Sequence, residues 1–405
     1  MIYTINTDVV YVRGFSNGAI YNFNDNNLFS INNIACSIVE KYINNDIQSL
    51  NFAEQDYISL LKEKHLISLK HIPKEYHSTR EDCNLEMVWL EITQQCNLKC
   101  LHCYQGDVHV PGQQLNFNDW CRIIDELKRL KVKRIIIIGG EPCCAPILLD
   151  ILNYLKKYKD EIDITLFTNG TMLDEDLFSV IAKNNIRVKF SLYGHSADLH
   201  EHITQVKGSF KKMLTNIMRL KNEDISIGVA IIAMKENQDY LEEIKRFVKG
   251  LNLDYTEFDV IRCVYGGSQK EHYPTKLEIA KLGIRSKPYF IANKLEFDKN
   301  CFFNSCWAGK IAITDSGHIL PCVFERKISY GNVKQATISE IINSETLKRY
   351  WQYNLSNVNI CKDCEFRFAC KDCRPVAMSN DGNLSSKTPN CMYNPYSGVW
   401  EESIQ

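Results

Sequence analysis

Three closely spaced cysteines near residue 100 are the residues of this chain best suited to chemistry. Cys96, Cys100 and Cys103 form a C-x3-C-x2-C motif. Three thiolates on one loop can bind three irons of a [4Fe–4S] cluster and leave the fourth iron open to an exchangeable ligand. A zinc site is the alternative for this spacing, with His102 or His109 as its fourth ligand.

A second group of cysteines crowds the last quarter of the chain. It contains a Cys-x10-Gly-x4-Cys pair and a C-x2-C-x5-C-x2-C run, and its members are Cys301, Cys306, Cys322, Cys361, Cys364, Cys370, Cys373 and Cys391. Eight thiolates are enough for two further [4Fe–4S] clusters. Because C-x2-C pairs also suit zinc, a zinc ribbon is the alternative for this region.

The other six cysteines lie mostly in apolar helix or strand patterns, where a thiol is usually a small buried hydrophobe. They are Cys36, Cys83, Cys121, Cys143, Cys144 and Cys263. We expect structural roles for these six.

Charge and composition predict a cytoplasmic protein. The 48 basic and 49 acidic residues nearly cancel, which argues against a nucleic-acid partner or a membrane-surface partner. The chain starts MIYTINTDVV, without the basic and apolar regions of a signal peptide, and no apolar stretch is long enough to span a membrane. In a reducing compartment, 17 cysteines point to metal or redox chemistry rather than to disulfides.

The first cysteine group lies within a region of alternating strands and helices. Apolar strands are predicted at 87–93, 135–138, 164–167, 188–192, 227–233 and 258–263, with helices at 119–130, 147–158, 174–184, 210–220 and 239–251. This rhythm predicts an α/β fold with a parallel sheet, in either an open doubly wound or a barrel-like arrangement. Catalytic residues are expected at the carboxyl ends of its strands.

Two other regions flank this core. Residues 1–80 predict strands at 9–12 and 19–23 joined by a turn with Asn17-Gly18, helices at 31–43 and from Asn51 to about 63, and a returning strand near 66–69. This order predicts a winged-helix-like module. Residues 266–405 lose the periodicity of the core at 87–265, so we expect metal ligation to stabilise them.

A glycine motif follows the strand after the cysteine loop, and together the two motifs carry a family resemblance. The sequence Gly139-Gly140-Glu141-Pro142, with C-x3-C-x2-C before it, resembles the radical S-adenosylmethionine (radical SAM) superfamily. The resemblance implies a partial (β/α)6 TIM-like barrel. It further implies that Cys96, Cys100 and Cys103 hold a cluster whose open iron binds S-adenosylmethionine, which is cleaved to a 5′-deoxyadenosyl radical.

The same resemblance assigns residues to the cofactor pocket. It implies that the backbone at His102 lies near the adenine and that Gly139, Gly140 and Glu141 hold the methionine end. Asn169 and Ser191 are the further residues expected at the cofactor wall.

The C-terminal cysteines resemble the SPASM extension of radical SAM peptide maturases, which holds two auxiliary [4Fe–4S] clusters. The analogy assigns Cys301, Cys306, Cys322 and Cys373 to the first auxiliary cluster, and Cys361, Cys364, Cys370 and Cys391 to the second. The extension usually has three residues before the last cysteine of its central run, whereas only Lys371 and Asp372 precede Cys373. Without Cys301, the first cluster would have an open iron for a substrate thiolate. The resemblance implies about twelve irons per chain.

The N-terminal module resembles the element with which many ribosomal-peptide maturases bind a leader peptide, by adding it as a strand to a sheet edge. The whole resemblance implies a peptide maturase of the sactipeptide or ranthipeptide type. Such an enzyme joins a cysteine sulfur to a carbon of a precursor peptide in a thioether, with a flavodoxin or ferredoxin as electron donor.

Other functions remain open at this point. Carbon–carbon crosslinking is an alternative, because the motifs that define it lie in the substrate. Formylglycine formation is another, although Val323 stands where sulfatase maturases have an aspartate base, so the sequence assigns no catalytic base. A non-catalytic iron–sulfur electron carrier or peptide-binding protein is the alternative from another class.

Overall fold

The computed structural model describes residues 1–68, 72–78, 82–106, 113–223, 225–264, 268–275, 290–389 and 391–400. The chain divides into two compact units. The first joins Met1–Cys83, Arg285–Ala308 and Tyr350–Gln405, and the second joins Asn84–Ile284 and Gly309–Arg349. Each unit therefore combines segments that are distant in sequence, whereas the sequence predicts three consecutive domains at 1–80, 87–265 and 266–405.

The strands and helices of the described residues are as follows. The strands are β1 Ile2–Asn6, β2 Val9–Arg13, β3 Gly18–Asn22, β4 Asn27–Ile31, β5 Lys74–Glu75, β6 Met87–Glu91, β7 Arg134–Ile138, β8 Asp163–Thr168, β9 Arg187–Leu192, β10 Ile227–Ala233, β11 Tyr255–Val260, β12 Lys310–Ile313, β13 His318–Leu320, β14 Gly331–Asn332, β15 Tyr393–Asn394 and β16 Val399–Trp400. The helices are α1 Asn33–Ile43, α2 Phe52–Glu63, α3 Phe117–Arg129, α4 Leu148–Leu155, α5 Glu175–Lys183, α6 Ala197–Thr204, α7 Ser209–Lys221, α8 Leu241–Leu251, α9 Ser268–Glu271, α10 Lys294–Phe302, α11 Ile338–Ile342, α12 Glu345–Trp351 and α13 Arg374–Met378.

The first unit contains an antiparallel sheet in the order β4-β3-β2-β1-β5. The predicted strands β2 and β3 are confirmed, as is α2, whose cap Asn51 accepts the amide of Glu54 at 3.0 Å while the Glu54 carboxylate accepts the amide of Asn51 at 2.9 Å. The strand predicted at 66–69 is wrong over its described residues. Leu66 and Ile67 are buried, and the amide of Leu66 donates to the carbonyl of Leu61, so this stretch continues the helix end; β5 is the returning strand.

The N-terminal sheet and the C-terminal part of this unit share one hydrophobic core. Buried residues of β2 and β3 pack with residues of the segments 290–302 and 364–400; the cluster contains Val10, Val12, Ala19, Tyr21, Ala292, Phe297, Phe366, Phe368 and Tyr393. The hydroxyl of Tyr21 donates to the carbonyl of Glu365 at 2.8 Å. The two ends of the chain are therefore stabilised by the same buried contacts.

The second unit contains a sheet in the order β11-β10-β9-β8-β7-β6-β12-β13-β14, whose strands β6 to β11 are parallel. A doubly wound sheet reverses its strand order at a switch point, and this order does not reverse. Right-handed crossovers then place every connecting helix on one face of the sheet. The strand order therefore favours the barrel-like arrangement, and this core is an α/β partial barrel.

Two features of the second unit were not predicted. Helix α6 lies between β9 and α7, and the hairpin β12-β13, followed by β14, extends the sheet beyond β6. Strand β12 pairs parallel to β6, with Ile311 opposite Val88.

Candidate functional site

The loop that carries the first cysteine group follows β6 and is held by the end of α6. The amides of Lys99 and Leu101 donate to the carbonyls of Thr204 and Ile203, at 3.1 and 3.0 Å. The amide of Leu98 donates to Sγ of Cys96 at 3.4 Å. These bonds place the three thiols beyond the carboxyl end of the first parallel strand.

The thiols of this loop are close enough to influence one another's charge. Burial, with a smaller contribution from the charge of Cys103, raises the pKa of Cys96 to about 11 and that of Cys100 to about 12. Iron would offset this repulsion, because a coordinating thiol is deprotonated by the cation it binds. Among the described residues, no three His, Cys, Asp or Glu side chains are arranged to hold a single metal ion. His109, the alternative zinc ligand, lies outside the described residues.

The glycines after β7 allow two loops to approach closely. The amide of Gly140 donates to the carbonyl of Thr93 at 2.9 Å, and a Cβ on Gly140 would lie 2.3 Å from the carbonyl oxygen of Gln95. A Cβ on Gly139 would lie 2.4 Å from the Thr93 oxygen. Only residues without a side chain fit between these carbonyls, so the two glycines hold their loop against the one that leads to Cys96.

The carboxylate of Glu141 is buried, and both of its oxygens accept hydrogen bonds from the protein. Its Oε1 accepts hydrogen bonds from the hydroxyl of Thr168 at 2.5 Å and the amide of Cys143 at 3.0 Å, and its Oε2 accepts the amide of Asn169 at 2.6 Å. Burial raises the pKa of Glu141, and these bonds act in the opposite direction. The side chain therefore ties the carboxyl ends of β7 and β8 together.

Asn169 connects the end of β8 to the cysteine loop. Its Nδ2 donates to Oδ1 of Asn97 at 2.8 Å, and its Oδ1 accepts the amide of Thr171 at 2.9 Å. Nδ2 of Asn97 donates to the hydroxyl of Thr171 at 2.7 Å. The structure thus brings Gly139, Glu141 and Asn169 to the same strand ends as the cysteines.

His102 and Ser191 lie beside a tyrosine that sequence reasoning missed. The rings of His102 and Tyr193 meet edge to face at 4.5 Å. Burial raises the pKa of Tyr193, and the nearby side chain of Ser191 acts in the opposite direction. Burial lowers the pKa of His102 to about 4. Within the described residues, Nδ1 of His102 and Nδ1 of His195 are buried without a hydrogen-bond partner. These orphaned atoms fit a pocket that receives a polar ligand.

The inner face of the sheet carries half-buried aromatic rings and a buried ion pair. Val88 and Leu90 of β6 are buried, and the alternate residues Trp89 and Glu91 lie on the opposite face. Trp89 packs in a cluster with Tyr104, Phe167 and Phe324 among its partly buried members. The guanidinium of Arg326 pairs with Glu91. Arg326 has no sequence signal, because the partner lies 235 positions away.

The four cysteines assigned to the second auxiliary cluster lie together in the first unit. Burial, with contributions from the charges of other members of the group, raises the pKa of Cys361 to about 12 and raises that of Cys364 and Cys370. Cys391 is among the charges that act on all three. Four mutually repelling buried thiols are a donor set that fits a [4Fe–4S] cluster.

The cysteines assigned to the first auxiliary cluster are divided between the units. Cys301, Cys306 and Cys373 belong to the first unit and Cys322 to the second. Burial raises the pKa of Cys301 to about 12, and its nearest charged groups are Asp298, Arg367 and Lys294 rather than cysteines. The ligand set of this cluster stays a prediction.

Two of the six cysteines expected to be structural lie beside the first cysteine loop. Sγ of Cys143 is 3.6 Å from the hydroxyl of Thr168, and the charge of Cys144 raises the pKa of Cys96. The positions of Cys143 and Cys144 in the sequence do not predict that they lie close to the first cysteine loop. No disulfide joins any two cysteines in the part of the chain that the structure describes.

Known protein families match the first cysteine group and part of the second. A radical SAM superfamily profile matches residues 90–248, and an iron–sulfur cluster-binding SPASM domain profile matches residues 301–365. Among the described residues, no helix is long and apolar enough to cross a membrane.

Relatives of the chain include proteins that modify peptides and cofactors. It is 26% identical to a tungsten-containing aldehyde ferredoxin oxidoreductase cofactor-modifying protein of Pyrococcus furiosus, over 75% of this chain and 93% of that protein. It is 24% identical to the subtilosin biosynthesis protein AlbA of Bacillus subtilis, over 78% of this chain and 74% of AlbA.

Among solved structures, SuiB of Streptococcus suis has a similar fold. The structure of SuiB bound to S-adenosylmethionine matches with a TM-score of 0.64 at 14% identity and covers 96% of this chain and all of SuiB. The structure of SuiB bound to precursor peptide SuiA matches this chain with a TM-score of 0.62 at 15% identity. At this identity the likeness concerns the fold alone.

Proposed function

Because the chain is a radical SAM enzyme with a SPASM domain, related to ribosomal-peptide maturases, we propose that it forms an intramolecular thioether in a ribosomally made precursor peptide. The observation that carries this proposal is the packing of a β-rich N-terminal sheet into one core with the auxiliary cysteines. A sheet that could bind peptide thereby belongs to the same compact unit as a redox site.

Strand β4 is the sheet edge that would bind the leader peptide. Within the described residues β4 pairs only with β3, and Phe29 in its middle is 39% exposed. An extended peptide added there would gain backbone hydrogen bonds and a contact with an aromatic ring. In this proposal residues 1–80 act as a winged-helix-like recognition module.

The chain's own residues would hold the cofactors. Cys96, Cys100 and Cys103 bind the first [4Fe–4S] cluster, which together with S-adenosylmethionine supplies a 5′-deoxyadenosyl radical when bound. Gly139 and Gly140 keep the loop after β7 against the cysteine loop. His102, Tyr193 and Ser191 line the pocket beside them, and the inner-face aromatic residues exclude water from the reacting atoms.

Eight further thiols would hold two auxiliary clusters, so that three clusters are present. The first takes Cys301, Cys306, Cys322 and Cys373, and the second takes Cys361, Cys364, Cys370 and Cys391. Buried Arg374 lies near Cys361 and Cys306 and partly neutralises their thiolates. A flavodoxin or ferredoxin is the proposed electron donor.

The test begins with a search of the reading frames beside the gene for one that encodes a short Cys-containing peptide. That peptide is then incubated with the reduced, reconstituted enzyme and S-adenosylmethionine. Thioether formation removes two hydrogens from the peptide and one free thiol, so we expect a mass loss of about 2 Da, formation of 5′-deoxyadenosine, and loss of one site for iodoacetamide. A mass loss with all thiols still reactive would indicate a carbon–carbon crosslink instead.

Cysteine variants provide the control for this experiment. Replacing Cys96, Cys100 and Cys103 by Ala should abolish 5′-deoxyadenosine and leave about two-thirds of the iron, because one of three clusters is lost. Cys121→Ala, in α3, should change neither quantity. Peptide modification by the triple variant would disprove the assignment of these three cysteines to catalysis. Absence of S-adenosylmethionine cleavage in both the wild type and the variant would indicate a non-catalytic iron–sulfur protein.

A further inference from the structure

A buried ion pair between Glu91 and Arg326 lies at the end of β6. The side chains of Glu91 and Arg326 are 1% and 6% exposed, and Nη1 of Arg326 donates to Oε2 of Glu91 at 2.6 Å. Nε2 of Gln105 donates to Oε1 of the same carboxylate at 3.2 Å. One positive and one negative charge are therefore paired inside the protein.

Two polar atoms beside this ion pair have no hydrogen-bond partner in the part of the chain that the structure describes. They are Nε of Arg326 and the hydroxyl of Tyr104. The guanidinium of Arg326 lies 5.8 Å from the centre of the Tyr104 ring. Burial raises the pKa of Tyr104, and the side chain of Gln105 is near enough to act in the opposite direction, but it makes no hydrogen bond of normal length with the hydroxyl. Buried donors without an acceptor are rare in native proteins, because each costs stability.

The unpaired donors lie next to the inner-face aromatic cluster. The rings of Tyr104 and Phe324 meet edge to face at 5.1 Å, and Trp89 and Phe167 are partly buried members of the same cluster. Tyr104 directly follows Cys103 in the sequence. Both donors therefore adjoin the inner-face aromatic cluster, and Tyr104 also adjoins the cysteine loop.

We infer that Tyr104 and Arg326 form a subsite for a backbone carbonyl of the peptide segment that is modified, an inference that rests on the proposed function. A carbonyl oxygen accepts two hydrogen bonds and is uncharged. A substrate carboxylate would bring an uncompensated negative charge into this site, since Glu91 neutralises Arg326, and Asp259 pairs with Arg262, whose guanidinium lies 4.6 Å from the Phe324 ring. An apolar group would leave both donors unpaired. A peptide carbonyl adds no charge and offers an acceptor to both donors.

The test compares two tyrosine variants of the reconstituted enzyme. Tyr104→Phe removes an unpaired hydroxyl, whereas the matched control Tyr158→Phe removes a hydroxyl that donates to Asp125 at 2.7 Å. Without peptide, we expect the Tm of Tyr104→Phe to be unchanged or raised and that of Tyr158→Phe to fall. With the fluorescein-labelled peptide encoded beside the gene, anisotropy should show a Kd raised about tenfold for Tyr104→Phe and unchanged for Tyr158→Phe.

Arg326→Lys provides a second measurement, because it keeps the charge opposite Glu91 and removes Nε. We expect a similar rise in Kd. A lower Tm for Tyr104→Phe together with an unchanged Kd would mean that a structural water fills the site, and it would overturn the inference. Wild-type protein that binds the peptide but does not modify it would refute the proposed function alone, since Kd and Tm still test the subsite.

Discussion

The buried carboxylate of Glu141 holds the ends of two strands together by hydrogen bonds and does not present its charge to solvent. Its two oxygens accept hydrogen bonds from Thr168 at the end of β8, from Asn169 directly after it, and from Cys143 in the loop after β7. A buried carboxylate with three donors is stabilised by hydrogen bonds that a neutral replacement cannot fully reproduce. At the residue scale, we propose that Glu141 is a positioning residue for the loop that contains Gly139 and Gly140.

His200 gives a prediction for stability against pH. It is buried, and its Nδ1 accepts the amide of Tyr193 at 3.3 Å. Burial lowers its pKa to about 4 from an ordinary 6.5. As pH falls below about 6.5 the unfolded chain gains a proton that the folded chain resists, so His200 costs stability progressively down to pH 4.

We expect His200→Asn, which keeps an acceptor but does not titrate, to flatten this dependence. Wild-type protein should lose about 3 kcal/mol more of its free energy of unfolding between pH 7 and pH 4 than the variant does. Thermal unfolding from pH 7.5 to 4.5 measures the difference. The exposed His202→Asn serves as the control and should follow the wild type; parallel curves for His200→Asn would contradict the argument.

At the scale of elements, the junction between the loops after β6 and β7 depends on Gly140. A Cβ there would lie 2.3 and 2.7 Å from the carbonyl oxygens of Gln95 and Gln94, which are backbone atoms and cannot move without the loop. We expect Gly140→Ala to separate the two loops, to lower the Tm, and to reduce 5′-deoxyadenosine formation at least about tenfold, since small displacements of positioning groups slow catalysis strongly.

Gly250 provides the matched glycine control. It lies in α8, and a Cβ there would meet nothing within 4 Å. Gly250→Ala should therefore raise the free energy of unfolding by about 0.5–1 kcal/mol, because alanine favours the helix. Equal effects of the two substitutions would show that the contact distances at Gly140 do not determine its role.

The elements that the sequence predicts well are those with a single repeated pattern. Strands β7 and β10 are covered by helices and appear as apolar runs, RIIII and IGVAIIA, and the cysteine spacings are local. Strand β11, with the sequence YTEFDV, is partly exposed and begins three residues before the strand predicted at 258–263. Helix α6 and β12–β14 are short and partly polar, so their periodicity is weak. Tyr193 and Arg326 were missed because their roles depend on contacts with residues far away in sequence, 235 positions in the case of the Arg326–Glu91 pair.

At the scale of the whole molecule, the sheet proposed to bind peptide and the cysteines proposed to hold an auxiliary cluster share one hydrophobic core in the first unit. Tyr21 of β3 is fully buried, its hydroxyl donates to the carbonyl of Glu365, and its ring lies 4.9 Å from that of Phe297. Cys364 and Cys370 are among the groups whose charges influence Tyr21. The N-terminal sheet is therefore part of the structure that surrounds these cysteines, rather than an appended module.

Tyr21→Ala tests this dependence. Removing a buried aromatic ring should lower the free energy of unfolding by about 3–5 kcal/mol. Because the same core positions Cys364 and Cys370, iron should fall from about twelve to about eight per chain through loss of one four-iron cluster. Phe52→Ala, at a side chain 89% exposed on α2, should change the stability by less than about 0.5 kcal/mol and leave the iron unchanged. Full iron content in Tyr21→Ala would instead indicate that the C-terminal region binds its clusters independently of the N-terminal sheet.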